Sequence, residues 1–129
     1  MRRQKLFIRG SPASQKSSGK PGPELEAWKA QVHVQSSDLK PVPGACDLRV
    51  DFRLPADKFA NDNPFGPDID NLLKPLLDGL KATLFRDHPE KVSDSCVMRV
   101  IAKKSRASAA KPPGAVLTVA RFVGSVKDA

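Results

Sequence analysis

The stretch PDIDNLLKPLLDGL, residues 67–80, decides the fold because it predicts the helix on which the core is built. Wound at about 3.6 residues per turn, its leucines form one apolar stripe that continues beyond the stretch. The leucines of this stripe are Leu72, Leu73, Leu76, Leu77, Leu80 and Leu84. Asp70 and Lys74 are four residues apart, so they lie side by side at the margin of the stripe.

Pro75 lies inside this predicted helix. It has no amide hydrogen and its ring clashes with the carbonyl of Asn71, which costs roughly 3 kcal/mol in a regular helix interior. We therefore predict that the helix bends or begins at about Asn71, so that Pro75 is close to the first turn. Asp68 then lies outside the regular winding, where extended backbone lets its carboxylate turn toward that of Asp70.

Asp68 and Asp70 have two interpretations. In the first, they cap the free amides at a helix start, and the lysine makes an ordinary ion pair. In the second, they hold a hard divalent cation for phosphodiester hydrolysis, and the lysine stabilises developing negative charge. The second interpretation needs a third carboxylate close by, and the candidates are Asp87, Glu90 and Asp94. Asp94 immediately precedes a predicted strand. The metal-binding interpretation predicts that Asp94 lies close to the helix start, whereas the capping interpretation predicts that it lies far away.

The elements around this helix predict an α+β fold. In chain order they are β-α-β-α-β-β, which suggests a small mixed sheet of about four strands with two main helices packed against it. The last strand is apolar on both faces, as expected of a central strand or of one that is covered on both sides. We expect the last two strands to pair antiparallel. The other elements are the strands at residues 5–9, 47–54, 95–104 and 115–123 and the helix at residues 24–34.

The strand DLRVDFRL, residues 47–54, has the clearest alternation in the chain. Its apolar residues fall on one face and its charged residues on the other, which predicts a half-buried strand. Trp28, in the first helix, is interpreted as a core residue.

The length of 129 residues is typical of one domain, so we expect a single domain over residues 1–129 with a flexible basic loop at residues 10–23. The net charge is +8, and no acid occurs before Glu24 or between Ser95 and Lys127. These two acid-free stretches favour contact with a polyanion such as nucleic acid. The candidate phosphate contacts are Lys16, Lys20, Lys103, Lys104 and Arg106.

The cysteines and histidines argue against a zinc site. Cys46 and Cys96 belong to no CxxC pair and are expected to be buried thiols. With only two histidines, a metal would be held by carboxylates, which favours magnesium or manganese. The chain has no apolar run that could span a membrane, and its N-terminus lacks the features of a signal peptide, so a cytoplasmic location is expected.

The segment GPDIDNLLKPLLDGL, followed by VSDSCVMRVIAKK, resembles the RusA family of Holliday-junction resolvases. That family has D-[IL]-D-N-L-x-K at a helix start and D-D-x-Q-V at the opening of the next strand. The order of elements is similar as well, so the resemblance covers most of the chain. It implies that Asp68, Asp70 and Asp94 are metal-binding carboxylates and that Lys74 is the catalytic lysine.

The resemblance also implies an activity and an assembly. It implies a magnesium-dependent endodeoxyribonuclease, with manganese as a substitute, that cuts four-way DNA junctions in recombination and repair and acts as a homodimer. Two features depart from the family pattern: Pro75, and the strand opening at residues 93–97, which reads SDSCV and lacks the first acid and the glutamine. Two alternatives therefore stay open, a non-catalytic basic DNA-binding protein and a degenerate family member that binds junctions and cuts poorly.

Overall fold

The computed structural model describes residues 2–15, 22–58, 66–87 and 95–123. Within them the chain forms two α-helices and four strands in the predicted order, an α+β fold. The elements are β1 (Gln4–Arg9), α1 (Pro23–Gln35), β2 (Cys46–Leu54), α2 (Ile69–Leu80), β3 (Val97–Arg106) and β4 (Gly114–Arg121). A helix long and apolar enough to cross a membrane is absent from this described part.

The four strands form one mixed sheet in the order β1-β4-β2-β3. β4 is antiparallel to both of its neighbours, and β2 and β3 are parallel. The expected antiparallel pairing of the last two strands is therefore wrong, because β3 pairs with β2 and not with β4. α2 connects β2 to β3, and a helical crossover leaves two neighbouring strands parallel. β4 takes the central position that its apolar character predicts.

Both helices pack on one face of the sheet, and this face carries the core. The apolar residues of β2 from Leu48 to Leu54 alternate into it and are buried, which confirms the predicted half-buried strand. Trp28 of α1 is 2% exposed and belongs to the same core cluster, as predicted. The charged residues of β2 therefore point to the opposite face of the sheet, where no described helix packs.

The two helices approach each other closely at Gly79 of α2. A Cβ atom added to Gly79 would lie 2.6 Å from Cγ1 of Val32 in α1. Near the C-terminal ends of the helices, the hydroxyl groups of Ser36 and Thr83 form a buried hydrogen bond of 2.7 Å. Glycine at position 79 is thus the residue that allows this helix contact.

The two cysteines lie near each other, where β2 and β3 begin. Cys46 is buried and Cys96 is only partly buried, so the prediction of buried thiols holds for Cys46 alone. The pKa of the Cys46 thiol is raised to about 12, mainly by burial and further by the neighbouring Cys96 thiol and the Asp47 carboxylate. Cys46 is therefore the less reactive of the two.

We expect iodoacetamide at about pH 8 to alkylate Cys96 well before Cys46 in the folded protein, because the thiolate is the reacting form. The raised pKa also lowers the free energy of unfolding as the pH rises from about 9 toward 12, since the unfolded chain then releases a proton that the folded chain keeps. Mass spectrometry of timed reactions measures the alkylation, with denatured protein as the control in which both thiols react. Equal labelling of both cysteines in the native protein would contradict this prediction.

Candidate active site at the start of α2

Asp68 lies at the N-terminal end of α2, just outside the helix. Its backbone is extended, with φ −68° and ψ 145°, and the helix begins at Ile69. The prediction that Asp68 lies outside the regular winding is therefore confirmed. Its side chain is exposed and accepts no capping hydrogen bond. The capping role that aspartate commonly has at this position is not the role of Asp68 in this structure.

Asp70 and Lys74 lie one turn apart in the first half of α2, and both are exposed. Their spacing suits an ion pair on the helix surface. The ion pairs found among the described residues nevertheless include neither of them. Both charges are therefore open to a ligand from outside the chain.

Pro75 lies inside α2, six residues after its first residue. The predicted start at about Asn71, with Pro75 close to the first turn, is therefore wrong. The alternative of a bend at Pro75 stays a prediction. Pro75 leaves the Asn71 carbonyl without its usual helical donor. That carbonyl instead accepts a hydrogen bond of 2.8 Å from the backbone N–H of Gln15. The bond from Gln15 reduces the cost of a proline in this helix, because the carbonyl keeps a partner.

The hydrogen bond from Gln15 also holds the first loop against α2. Pro12 and Ala13, in the same segment, are buried. Sequence reasoning missed this contact. The available signal was Pro75 itself, because a proline inside a helix leaves a carbonyl that needs a donor from elsewhere. The remainder of the predicted basic loop, residues 16–21, lies outside the described residues.

Lys104 of β3 stabilises the turn that leads into α2. Its Nζ donates a hydrogen bond of 3.0 Å to the backbone carbonyl of Pro67, the residue before Asp68. Lys104 is partly buried. The side chain predicted to contact phosphate thus holds the backbone at the start of the candidate site.

The other basic residues predicted to contact phosphate have different outcomes. Lys103 is beside Asp51 in the register of β2 and β3, so it lies on the opposite face of the sheet. Arg106 is beside Leu54, on the same face as Lys104. Lys16 and Lys20 are outside the described residues.

The third carboxylate is not identified within the described part of the chain. Asp94 and Glu90 lie outside it. Asp87 follows the C-terminal end of α2, and the helix itself is roughly 18 Å long. In the described ranges, no group of three or more His, Cys, Asp or Glu residues could hold a metal ion. Asp68 and Asp70 are the candidate carboxylates that lie at the start of α2, and the approach of their side chains to each other stays a prediction.

β3 begins at the end of the sheet where α2 finishes. Val97, three residues after Asp94, is paired with Cys46 at the start of β2. Lys104, which contacts the turn before Asp68, lies about 23 Å further along the strand. A single copy of the chain therefore begins β3 far from Asp68 and Asp70.

Two exposed carboxylates at the start of a helix, followed by a lysine one turn later in a strongly basic chain, are typical of proteins that cleave phosphodiesters in nucleic acid. A comparison with protein families is consistent with this class. The family model described as Endodeoxyribonuclease RusA matches residues 16–119. The chain therefore belongs to the RusA family of endodeoxyribonucleases. No curated protein matches the chain.

Proposed function

We propose that this protein is a magnesium-dependent endodeoxyribonuclease that resolves four-way (Holliday) DNA junctions by phosphodiester hydrolysis. The observation that carries the proposal is the state of Asp68, which occupies the N-cap position and caps no amide. Membership of the RusA family supports the activity and the branched substrate. The expected role is in DNA recombination and repair.

The donor atoms at the start of α2 suit a hard divalent cation. Asp68 and Asp70 supply exposed carboxylate oxygens without competing ion pairs among the described residues, and magnesium commonly takes one or two carboxylates with water and phosphate oxygens. Manganese prefers similar ligands and is expected to substitute. When bound, the ion would supply an activated water and neutralise charge on the scissile phosphate.

The remaining residues position the DNA and the acids. Lys74 lies one turn after Asp70, from where its ammonium group can donate to a phosphate oxygen as negative charge develops. Lys104 holds the Pro67 carbonyl and so keeps Asp68 in its extended conformation. The backbone N–H of Gln15 holds the Asn71 carbonyl in the first turn of α2. The two acids are therefore presented on a helix start that is fixed at two backbone positions, as a preorganised site requires.

We further propose that the active form is a homodimer in which Asp94 of a second copy completes the carboxylate set. The support is geometric, since β3 begins about 23 Å along the strand from Lys104 and its contact with Pro67. An antiparallel arrangement of two copies would bring the start of one β3 to the start of the other α2.

Mixing two inactive variants tests the shared site. Asp70→Asn and Asp94→Asn are each expected to be inactive as homodimers. A mixed dimer contains one site with both acids intact, so mixing the two variants is expected to restore nicking of the junction. If mixtures that form heterodimers remain inactive, the proposal of a shared site is wrong.

The proposed activity is tested by incubating the protein with a labelled four-way junction and with a linear duplex of the same sequence. We expect symmetric cleavage of the junction in magnesium or manganese, no cleavage in EDTA and little cleavage of the duplex. Binding of the junction without cleavage in either metal would support the degenerate or non-catalytic alternative. Equal cleavage of both substrates would contradict the proposed selectivity for branched DNA.

A further inference from the structure

The face of the sheet opposite the helices is strongly basic. The register of the strands places six cations on it: Lys5, Arg9, Arg49, Arg53, Arg99 and Lys103. Only two acids, Asp47 and Asp51, share this face within the described residues. Both described helices pack on the other face of the sheet. We call this basic surface the open face.

The two acids of the open face are already neutralised. Asp47 forms an ion pair of 2.6 Å with Arg99. Asp51 accepts a hydrogen bond of 2.8 Å from Ser105 and lies 3.7 Å from Nε of Arg53. The other cations of the open face keep their positive charge for an external anion.

Four arginines of the chain line one groove at the end of the open face where β2 begins. The groove has a volume of about 350 Å³ and is lined by Arg3, Arg49, Arg99 and Arg121, together with Asp47 and Thr118. Arg3, Arg49 and Arg121 form no ion pair with another described residue. Four guanidinium groups against one carboxylate leave a net charge of +3. We call this feature the arginine groove.

The arginine groove is separate from the candidate active site. Arg99 lies about 17 Å along β3 from Lys104, the residue that contacts the turn before Asp68. The two also lie on opposite faces of the sheet. A phosphate bound in the groove is therefore a different phosphate from the one that would bind near Asp68 and Asp70 of the same copy.

We propose that the arginine groove binds the sugar-phosphate backbone of a DNA arm, away from the point of cleavage. This inference rests on the proposed function. Arginine presents a planar set of donors that matches two phosphate oxygens, and it keeps its charge at any physiological pH. The hydroxyl of Thr118 adds a neutral donor to the same lining.

The test is the salt dependence of junction binding in EDTA, where no cleavage occurs. Each of Arg49→Gln and Arg121→Gln is expected to reduce the slope of log K against log salt by about 0.9, the effect of one lost phosphate contact. Arg49→Lys keeps the charge and is expected to keep the slope. Lys40→Gln removes one charge from an exposed side chain outside the groove and is the matched control.

The outcomes separate this inference from the proposed function. If the wild-type protein binds and cleaves junctions while both glutamine variants keep its salt slope, the arginine groove is not a DNA contact and the proposed function stands. If the variants instead change the oligomeric state on gel filtration with the slope unaltered, the groove is a protein contact and the inference is overturned. If the wild-type protein binds no DNA, the proposed function and this inference both fail.

Discussion

Replacing Asp70 with asparagine is expected to abolish junction cleavage and to leave junction binding intact. Asparagine has the same shape but no charge, so it is a much weaker ligand for a hard divalent cation. Asp70 is exposed and belongs to none of the ion pairs among the described residues, so the fold loses little. The cleavage rate at saturating magnesium is expected to fall by about 100-fold or more.

The measurement is the rate of single-turnover cleavage, together with junction affinity in EDTA. Asp38→Asn is the matched control, because Asp38 is exposed in the turn after α1 and is remote from the motif. Lys74→Gln is expected to lower the rate by about 100-fold or more as well, since it removes a charge that acts on the transition state. Wild-type cleavage by the Asp70→Asn protein would mean that the chemistry occurs elsewhere.

Replacing Gly79 with valine is expected to give the largest loss of stability. The added Cβ alone would lie 2.6 Å from Cγ1 and 2.7 Å from Cβ of Val32, and 3.2 Å from the Lys29 carbonyl. Neither the Val32 Cβ nor the backbone of α1 can move aside without separating the helices. Overpacking of this kind costs about 3 kcal/mol, which corresponds to a melting temperature lower by roughly 10 °C.

Thermal unfolding followed by circular dichroism measures this effect. Gly44→Val is the matched control, because a Cβ added at Gly44 meets nothing within 4 Å. The control protein is expected to melt close to the wild type. If the Gly79→Val protein melts no lower than the Gly44→Val protein, α1 and α2 do not pack at Gly79 as closely as the structure shows.

The sequence was sufficient to predict the elements because their patterns are local. The leucine stripe predicted α2, and the alternation in residues 47–54 predicted β2 and its two faces. The position of Asp68 outside the helix was also predicted, although from a helix start two residues later than the one observed. Each of these features depends on residues within a single helix or a single strand.

The errors concern contacts between residues far apart in the chain. The pairing of β3 with β2 depends on the crossover through α2, which the short connection between β3 and β4 obscured. The start of α2 was placed late because the cost of Pro75 was assessed without the donor that Gln15 provides. The arginine groove was missed for the same reason, since Arg3, Arg49 and Arg121 come together only when β1, β4 and β2 are paired.

The central claim is that a divalent cation binds at the start of α2, and locating the ion tests it most directly. Crystals soaked in manganese chloride would show the ion by its anomalous scattering. We predict a peak in contact with the carboxylates of Asp68 and Asp70. A peak at other carboxylates, or no peak at these two in a protein that cleaves junctions in the same manganese buffer, would contradict the claim.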